Sequence, residues 1–335
     1  TLYGAMLAGV DVVLMGAGIP REIPGALDEL SEHRPTSLAV DVAGARAAEP
    51  TRVRFDPAEF GGDALPPTQR PAFLPIVSAH SLATMLLKKA SGAIAGFVVE
   101  APVAGGHNAP PRGAAELDER GQPTYGERDR VDLQVMRDLG VPFWLAGAAH
   151  TPAALRGARE AGAAGVQVGT LFAFCEESGL DDSLKAAARE RARAGDAEVF
   201  TDPAASPTGF PFKVLALPGT LSEPETYAAR TRRCDLGYLR QVYRTEEGEI
   251  GYRCAAEPVT DYVAKGGRAE DAVGRKCLCN ALMANVGLAQ TQPDGAVEPA
   301  LVTSGDDVAA LVPLLARGPG GYTAADVVDY LLGPS

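Results

Sequence analysis

Short runs of apolar, often β-branched residues recur along the first half of this chain, and each is followed by a stretch with helical spacing. The runs are VDVVLMGAG (10–18), SLAVDVAG (37–44), FLPIVSA (73–79), GFVVEAP (96–102), PFWLAG (142–147) and GVQVGT (165–170). A strand that is apolar over its whole length is buried on both faces, which is the condition of a parallel sheet covered by helices. The pattern predicts an α/β fold. Thr151-Pro152 has the form of an N-cap and first-turn proline for AALRGAREAG, with Gly162 or Gly165 closing that helix. FGGDALPPTQRP (60–71) is too long and too rich in Pro and Gly for an ordinary connection and reads as a surface insertion.

The rhythm yields one more helix, DDSLKAAARERARA, and then stops. From about residue 201 the chain reads as loop and short strand (FTDPAASPTGFPFKVLALPG), then a hairpin turning near Glu247-Gly248 (YLRQVYRTEEGEIGYRC), then the helices NALMANVGLAQ and AADVVDYLLG. The expected division is an α/β domain over 1–200 and an α+β appendage over 201–335. Both a barrel and an open doubly wound sheet fit alternating β and α. Open-sheet dinucleotide binders concentrate function in a GxGxxG first turn, and none stands here, whereas a barrel spreads function over the loops after several strands. A (β/α)8 TIM-type barrel is therefore expected. LYGAMLAG opens in mid-helix, so the barrel is expected to lack its first two or three strands, the chain being a fragment with its true N-terminus upstream.

Charge and hydropathy narrow the partners. With 31 Lys and Arg against 43 Asp and Glu, a net charge of −12 and no basic stripe, nucleic acid is not expected. No apolar run approaches the roughly 20 residues of a membrane helix, and the first residues lack the features of a signal peptide. The expectation is a cytoplasmic protein that does not enter a membrane.

Three segments carry chemistry. GFVVEAPVAGGHNAPPRG (96–113) is a buried strand ending in Glu100 and followed by Gly105-Gly106-His107-Asn108, where two glycines let the backbone approach a flat ring. PFWLAGAAHTPAAL (142–155) and AGAAGVQVGTLFAF (161–174) are each a strand running into a helix, and the 19-residue step from Ala148 to Gln167 fits one βα unit. His150 follows the first of these strands and reads as solvated.

Together the three segments, spanning about residues 70–180, resemble the FMN-dependent nitronate monooxygenase (2-nitropropane dioxygenase) family. The resemblance implies that His107 is the base that takes the α-proton of the substrate, a task suited to an imidazole with a pKa near the working pH. It implies that Gly105 and Gly106 lie along the flavin, and that Gly147-Ala148 and Gln167-Val168-Gly169-Thr170 hold the FMN phosphate on backbone N–H groups with the help of the following helix dipole. Glu100 stands where the family has a glutamine on the cofactor, and burial could hold it protonated. Ala148 replaces a second glycine, which costs of order 1 kcal/mol or more if φ there is positive. Thr208 and Lys213, in SPTGFPFK after the last barrel helix, are expected as wall residues of the same site or as parts of a connecting loop.

Four of the five cysteines, Cys234, Cys254, Cys277 and Cys279, fall within 46 residues. The hairpin brings Cys254 toward Cys234, and Cys277-Leu278-Cys279 precedes a helix. Two readings stay open, a tetrahedral structural zinc site and unligated buried thiols, because CxC is not the usual knuckle spacing.

The implied activity is oxidation of alkyl nitronates or nitroalkanes by O2 to a carbonyl compound and nitrite, with FMN as cofactor. The expected partners are a small-molecule substrate and dioxygen, with a second copy of the chain left open. Two other readings are weighed beside it: a flavin-dependent enoyl-thioester reductase using NAD(P)H, which shares the Gly-Gly-His loop, and a non-catalytic scaffold whose cysteine-bearing appendage binds a partner.

Overall fold

A computed structural model describes residues 1–16, 18–45, 51–114, 116–318 and 320–333; Ala17 of the first candidate strand lies outside the described residues. The strands are β1 (Val12–Met15), β2 (Thr36–Val40), β3 (Thr51–Phe55), β4 (Ala72–Val77), β5 (Phe97–Glu100), β6 (Phe143–Ala146), β7 (Gly165–Gln167), β8 (Val199–Asp202), β9 (Phe212–Leu215), β10 (Gln241–Arg244) and β11 (Ile250–Arg253). The chain forms two compact units that interleave along the sequence. One comprises Thr1–Glu100, Arg130–Leu145 and Ala158–Val166; the other comprises Ala101–Asp129, Ala146–Gly157 and Gln167–Ser335.

The first unit is built on a parallel five-stranded sheet in the order β1-β4-β5-β6-β7. The order rises along the chain with no reversal, unlike the strand orders of doubly wound sheets. Among the described residues the sheet is not closed, since β1 and β7 each have a neighbour on one side only. The central strands β4 and β5 bury Phe73, Leu74, Val77, Phe97, Val98 and Val99. A core of Val77, Ala83, Leu86, Phe97, Val99, Met136, Phe143, Ala158 and Ala163 joins the sheet to the helices His80–Lys89, Leu133–Asp138 and Pro152–Glu160.

Two strand candidates differ from expectation. SLAV is not a member of the parallel sheet: β2 pairs antiparallel with β3, Thr36 opposite Phe55 and Val40 opposite Thr51. Its residues are at most half-buried, and Arg52 of β3 is held by Glu22 at 3.1 Å and by Ser37. β1 lies at the sheet edge with Val12 41% and Leu14 44% exposed, so an apolar run there does not mean burial on both faces. The Pro/Gly-rich insertion forms the 3-10 turns Pro57–Phe60 and Gly62–Ala64 and a mostly exposed return.

In the second unit β8 and β9 pair antiparallel, as do β10 and β11 across the turn at Thr245–Glu249. One core packs Leu171, Phe174, Ala188, Leu215, Val302, Leu311, Leu314, Tyr322 and Val327 around the helix Asp182–Ala194. Asp181 caps that helix through the Ser183 N–H, and Gly195 ends it in the left-handed conformation (φ 71°), the usual chemistry of a helix stop. A second core gathers Ala205, Phe212, Val214, Leu221, Leu278, Ala281 and Leu301. Thr151 accepts the Ala154 N–H at 3.0 Å ahead of Pro152, so the predicted cap is present. No helix among the described residues is long and apolar enough to cross a membrane.

Candidate active site

All the sequence-selected site residues except Glu100 belong to the second unit. The loop after β5 is the hub. Ala101 N–H donates to the Ala146 carbonyl at 3.0 Å, and Gly147 sits so close to Ala101 and Ala104 that an added Cβ would lie 3.2 Å from both residues. On its other side the loop meets Thr303–Asp306. Gly106 N–H donates to Thr303 Oγ1 at 2.8 Å, Asp306 N–H donates to the Val103 carbonyl at 3.1 Å, and Gly305 N–H donates to Thr170 Oγ1 at 3.0 Å. Gly105, Gly147 and Thr170 are thereby gathered around one loop. The close approach at Gly105 is to the chain itself: a Cβ there would stand 2.8 Å from the Ser304 carbonyl carbon.

His107 is fixed by a strand-like contact with the end of β9. Asn108 N–H donates to the Pro211 carbonyl and Lys213 N–H to the Gly106 carbonyl, both at 2.9 Å, which sets His107 opposite Phe212. Side chains opposed in this way share a face, and the imidazole stands edge-on to the Phe212 ring with centroids 4.9 Å apart. Its Nε2 lies 2.7 Å from Oγ of the fully buried Ser206, whose Oγ is in turn 2.7 Å from Thr208 Oγ1. His107 as a residue is exposed, yet its ring abuts the buried Phe212, and desolvation lowers its pKa. The imidazole is thus held neutral and aimed by one nitrogen.

The Gly147-Ala148 turn has positive φ at both residues, 90° and 54°. Ala148 is exposed, so its methyl adds little packing against the steric cost of a left-handed conformation. Ala148→Gly is expected to stabilise the protein by about 1 kcal/mol, read as a higher denaturant midpoint with unchanged slope; an unchanged or lower midpoint would show that the methyl group stabilises the turn by other contacts.

After β7, Gly169 begins a one-turn helix, Thr170–Ala173. Four residues make a negligible dipole, so the expected dipole contribution is not present; what the segment offers is N–H groups. Those of Ala148, Gly169 and Thr170 find no acceptor among the described residues. A Cβ at Gly106 or Gly169 would meet nothing within 4 Å, so there is open space beside both. Gln167 Oε1, Asn108 Oδ1 and Ser304 Oγ are buried without a partner, which is uncommon for buried polar atoms and points to a missing ligand or water. Val168, next to Gln167, instead packs against the apolar core.

Two expectations change. Lys213 is buried, with Nζ 2.6 Å from Thr201 Oγ1 and 2.5 Å from Asp306 Oδ1, so its charge is already partnered. His150 is not simply solvated: Nε2 is 3.0 Å from Asp307 Oδ2, with the imidazole mostly covered. Ser206 and the segment Thr303-Ser304-Gly305-Asp306-Asp307 were not singled out by sequence. Five consecutive small or acidic residues after the apolar Leu301-Val302 were the available signal.

Glu100, the last residue of β5, lies in the first unit. Burial raises its pKa to about 7, so near neutrality much of it carries a proton. The four cysteines of the second unit pack into one cluster, but among the described residues no group of three or more His, Cys, Asp or Glu is arranged as a metal centre.

No protein-family model and no curated protein matches this sequence. Among solved structures, the chain is similar to FabK from Thermotoga maritima, at 17% identity and a TM-score of 0.50 over 99% of this chain and 70% of that one. Lower TM-scores relate it to the enoyl reductase domain of MlnA from Bacillus amyloliquefaciens (10% identity, TM-score 0.48, 99% of this chain and 78% of that one). They also relate it to nitroalkane oxidase from Streptomyces ansochromogenes (19% identity, TM-score 0.38, 64% of this chain and 48% of that one). At these identities the likeness is one of fold, and the chain shares the mixed α/β architecture of the FabK structure.

Proposed function

We propose that this chain is a flavin-dependent oxidoreductase, with its sheet an arc of a TIM-type barrel and His107 handling a substrate proton. The observation that carries the reading is His107, held through Nε2 by the buried Ser206 hydroxyl on a loop that also gathers backbone donors without acceptors. The residues present fit FMN. The N–H groups of Ala148, Gly169 and Thr170 suit a phosphate, which backbone amides can bind without a net positive surface. The space beside Gly106 and Gly169 is open, and Gln167 Oε1 and Ser304 Oγ are polar atoms in need of partners. When bound, FMN supplies an electron acceptor that dioxygen can reoxidise.

For the reaction we propose oxidation of alkyl nitronates or nitroalkanes by O2 to a carbonyl compound and nitrite. A hydrogen bond from Nε2–H to Ser206 leaves the lone pair on Nδ1, and the neutral ring favoured by desolvation is the form that accepts a proton from the carbon bearing the nitro group. A second reading is an NAD(P)H-dependent enoyl-thioester reductase, favoured by the fold likeness to FabK, an enoyl-ACP reductase.

The test begins with the absorption spectrum of the purified protein after incubation with FMN, where the two bands of an oxidised flavin are expected. Nitrite release and O2 uptake with a nitronate, without nicotinamide, support the oxidase reading. NAD(P)H consumption driven by an enoyl thioester supports the reductase instead. A chain that never takes up flavin overturns both and leaves the scaffold.

A further inference from the structure

Four thiols stand apart from this chemistry. Cys234 comes from the loop before β10, Cys254 directly follows β11, and Cys277 and Cys279 flank the start of the helix Leu278–Ala284. All four pack into one cluster with Ala256. None is in a disulfide, and Cys254 and Cys277 are 6% and 5% exposed.

The hydrogen bond with Cys234 and burial push the Cys254 thiol up, burial pushes Cys277 up, and neighbouring amides oppose both. The Ala256 N–H is directed at the Cys254 sulfur and the Asn280 N–H at the Cys277 sulfur. Amides so directed stabilise a thiolate and are typical neighbours of a metal-bound cysteine. Arg230 lies near Cys277, and Arg240 and Lys265 lie near Cys234; Arg230 and Lys265 are also paired with Glu298 and Glu257. Cys234 and Cys254 share an S–H···S hydrogen bond. A tetrahedral zinc centre with bonds of about 2.3 Å separates its sulfurs by about 3.8 Å, a distance comparable to such a hydrogen bond.

We propose that Cys234, Cys254, Cys277 and Cys279 bind one zinc ion that ties the β10–β11 hairpin to the helix Leu278–Ala284. The residues just before Cys277 carry the consequence. Arg275 Nη1 donates to the Ser206 carbonyl at 2.6 Å and to the Ala204 carbonyl at 3.0 Å; Lys276 N–H donates to the Ala205 carbonyl at 2.8 Å and its Nζ pairs with Asp202 at 3.1 Å. The metal therefore anchors the segment that holds Ser206 under His107. That positioning role rests on the function proposed above, whereas zinc binding does not.

The experiment is metal analysis of the full chain purified without added metal or chelator, together with a count of reactive thiols in the native and denatured states. About one zinc per chain is expected. Cys254→Ala and Cys277→Ala should lower it to about a tenth or less, and Cys175→Ala, outside the cluster, should retain it. Should the cluster variants fail to fold, the wild-type chain is stripped with a chelator and titrated with Co2+, and the sulfur-to-cobalt absorption band is expected to appear at one equivalent. Metal-free protein that shows no cobalt band overturns the proposal, as does protein in which denaturation exposes three thiols instead of five, the mark of a disulfide.

Discussion

His107→Asn is expected to slow turnover of neutral nitroalkanes by about 10²- to 10⁴-fold while preformed nitronates are oxidised at close to the normal rate. The difference follows from what the imidazole is placed to do. Its Nε2 is bound to Ser206 and its pKa is lowered by desolvation, so it is a neutral base with one free nitrogen. A nitronate has already lost the proton that this base would take. The residues suited to FMN, Ala148, Gln167, Gly169 and Thr170, are untouched by the substitution, so flavin content should not change. Initial rates on a nitroalkane and on its nitronate, with flavin absorbance as a loading control, decide the matter. Equal losses on both substrates would mean that His107 positions substrate or tunes the flavin. No loss on either would reduce it to a packing partner of Phe212. Ser206→Ala should reproduce part of the nitroalkane defect and also move the acid limb of its pH profile, because removing the hydroxyl changes the support of the ring without removing the base.

Much of this architecture is legible in local sequence because local chemistry decides it. The Thr151 cap and the hairpin around Thr245–Glu249 each follow from a few adjacent residues. What is not legible depends on residues far apart in the chain. SLAV reads as a core strand, but its partner is TRVRF, whose arginines keep the pair at the surface. The run VDVVLM has the apolar character of an interior strand, and only its position at the sheet edge leaves Val12 and Leu14 exposed. Thr303 reaches Gly106 across 197 residues, so nothing near the Gly-Gly-His loop announces that TSGDD will support it. The cysteines show the same division. Their clustering in sequence is visible, whereas the amides directed at their sulfurs are a property of the folded chain.

Glu100 gives the other large effect, and its sign follows from linkage. Desolvation raises its pKa from 4.5 to about 7 in the folded protein, while the unfolded chain keeps a value near 4.5. Between these values the folded state holds more protons than the unfolded one, so stability falls as pH rises. The contribution is complete below about pH 4.5 and is lost through about pH 7. A shift of this size corresponds to about 3 kcal/mol between the two limits. Glu100→Gln keeps the size and polarity of the neutral acid and cannot ionise. The variant is therefore expected to match wild type near pH 5 and to exceed it at pH 8 by up to about 3 kcal/mol, measured as unfolding free energy in denaturant at the two pH values. If the pH slope persists in the variant, other groups cause it and Glu100 ionises without penalty. If the variant is less stable at both values, the carboxyl makes a hydrogen bond that an amide cannot replace. The resemblance implies a glutamine at this place, and a glutamic acid held neutral by burial is its nearest electrostatic equivalent below pH 7. Above that pH the two residues part, and Glu100 carries a negative charge at the end of β5 that a glutamine does not.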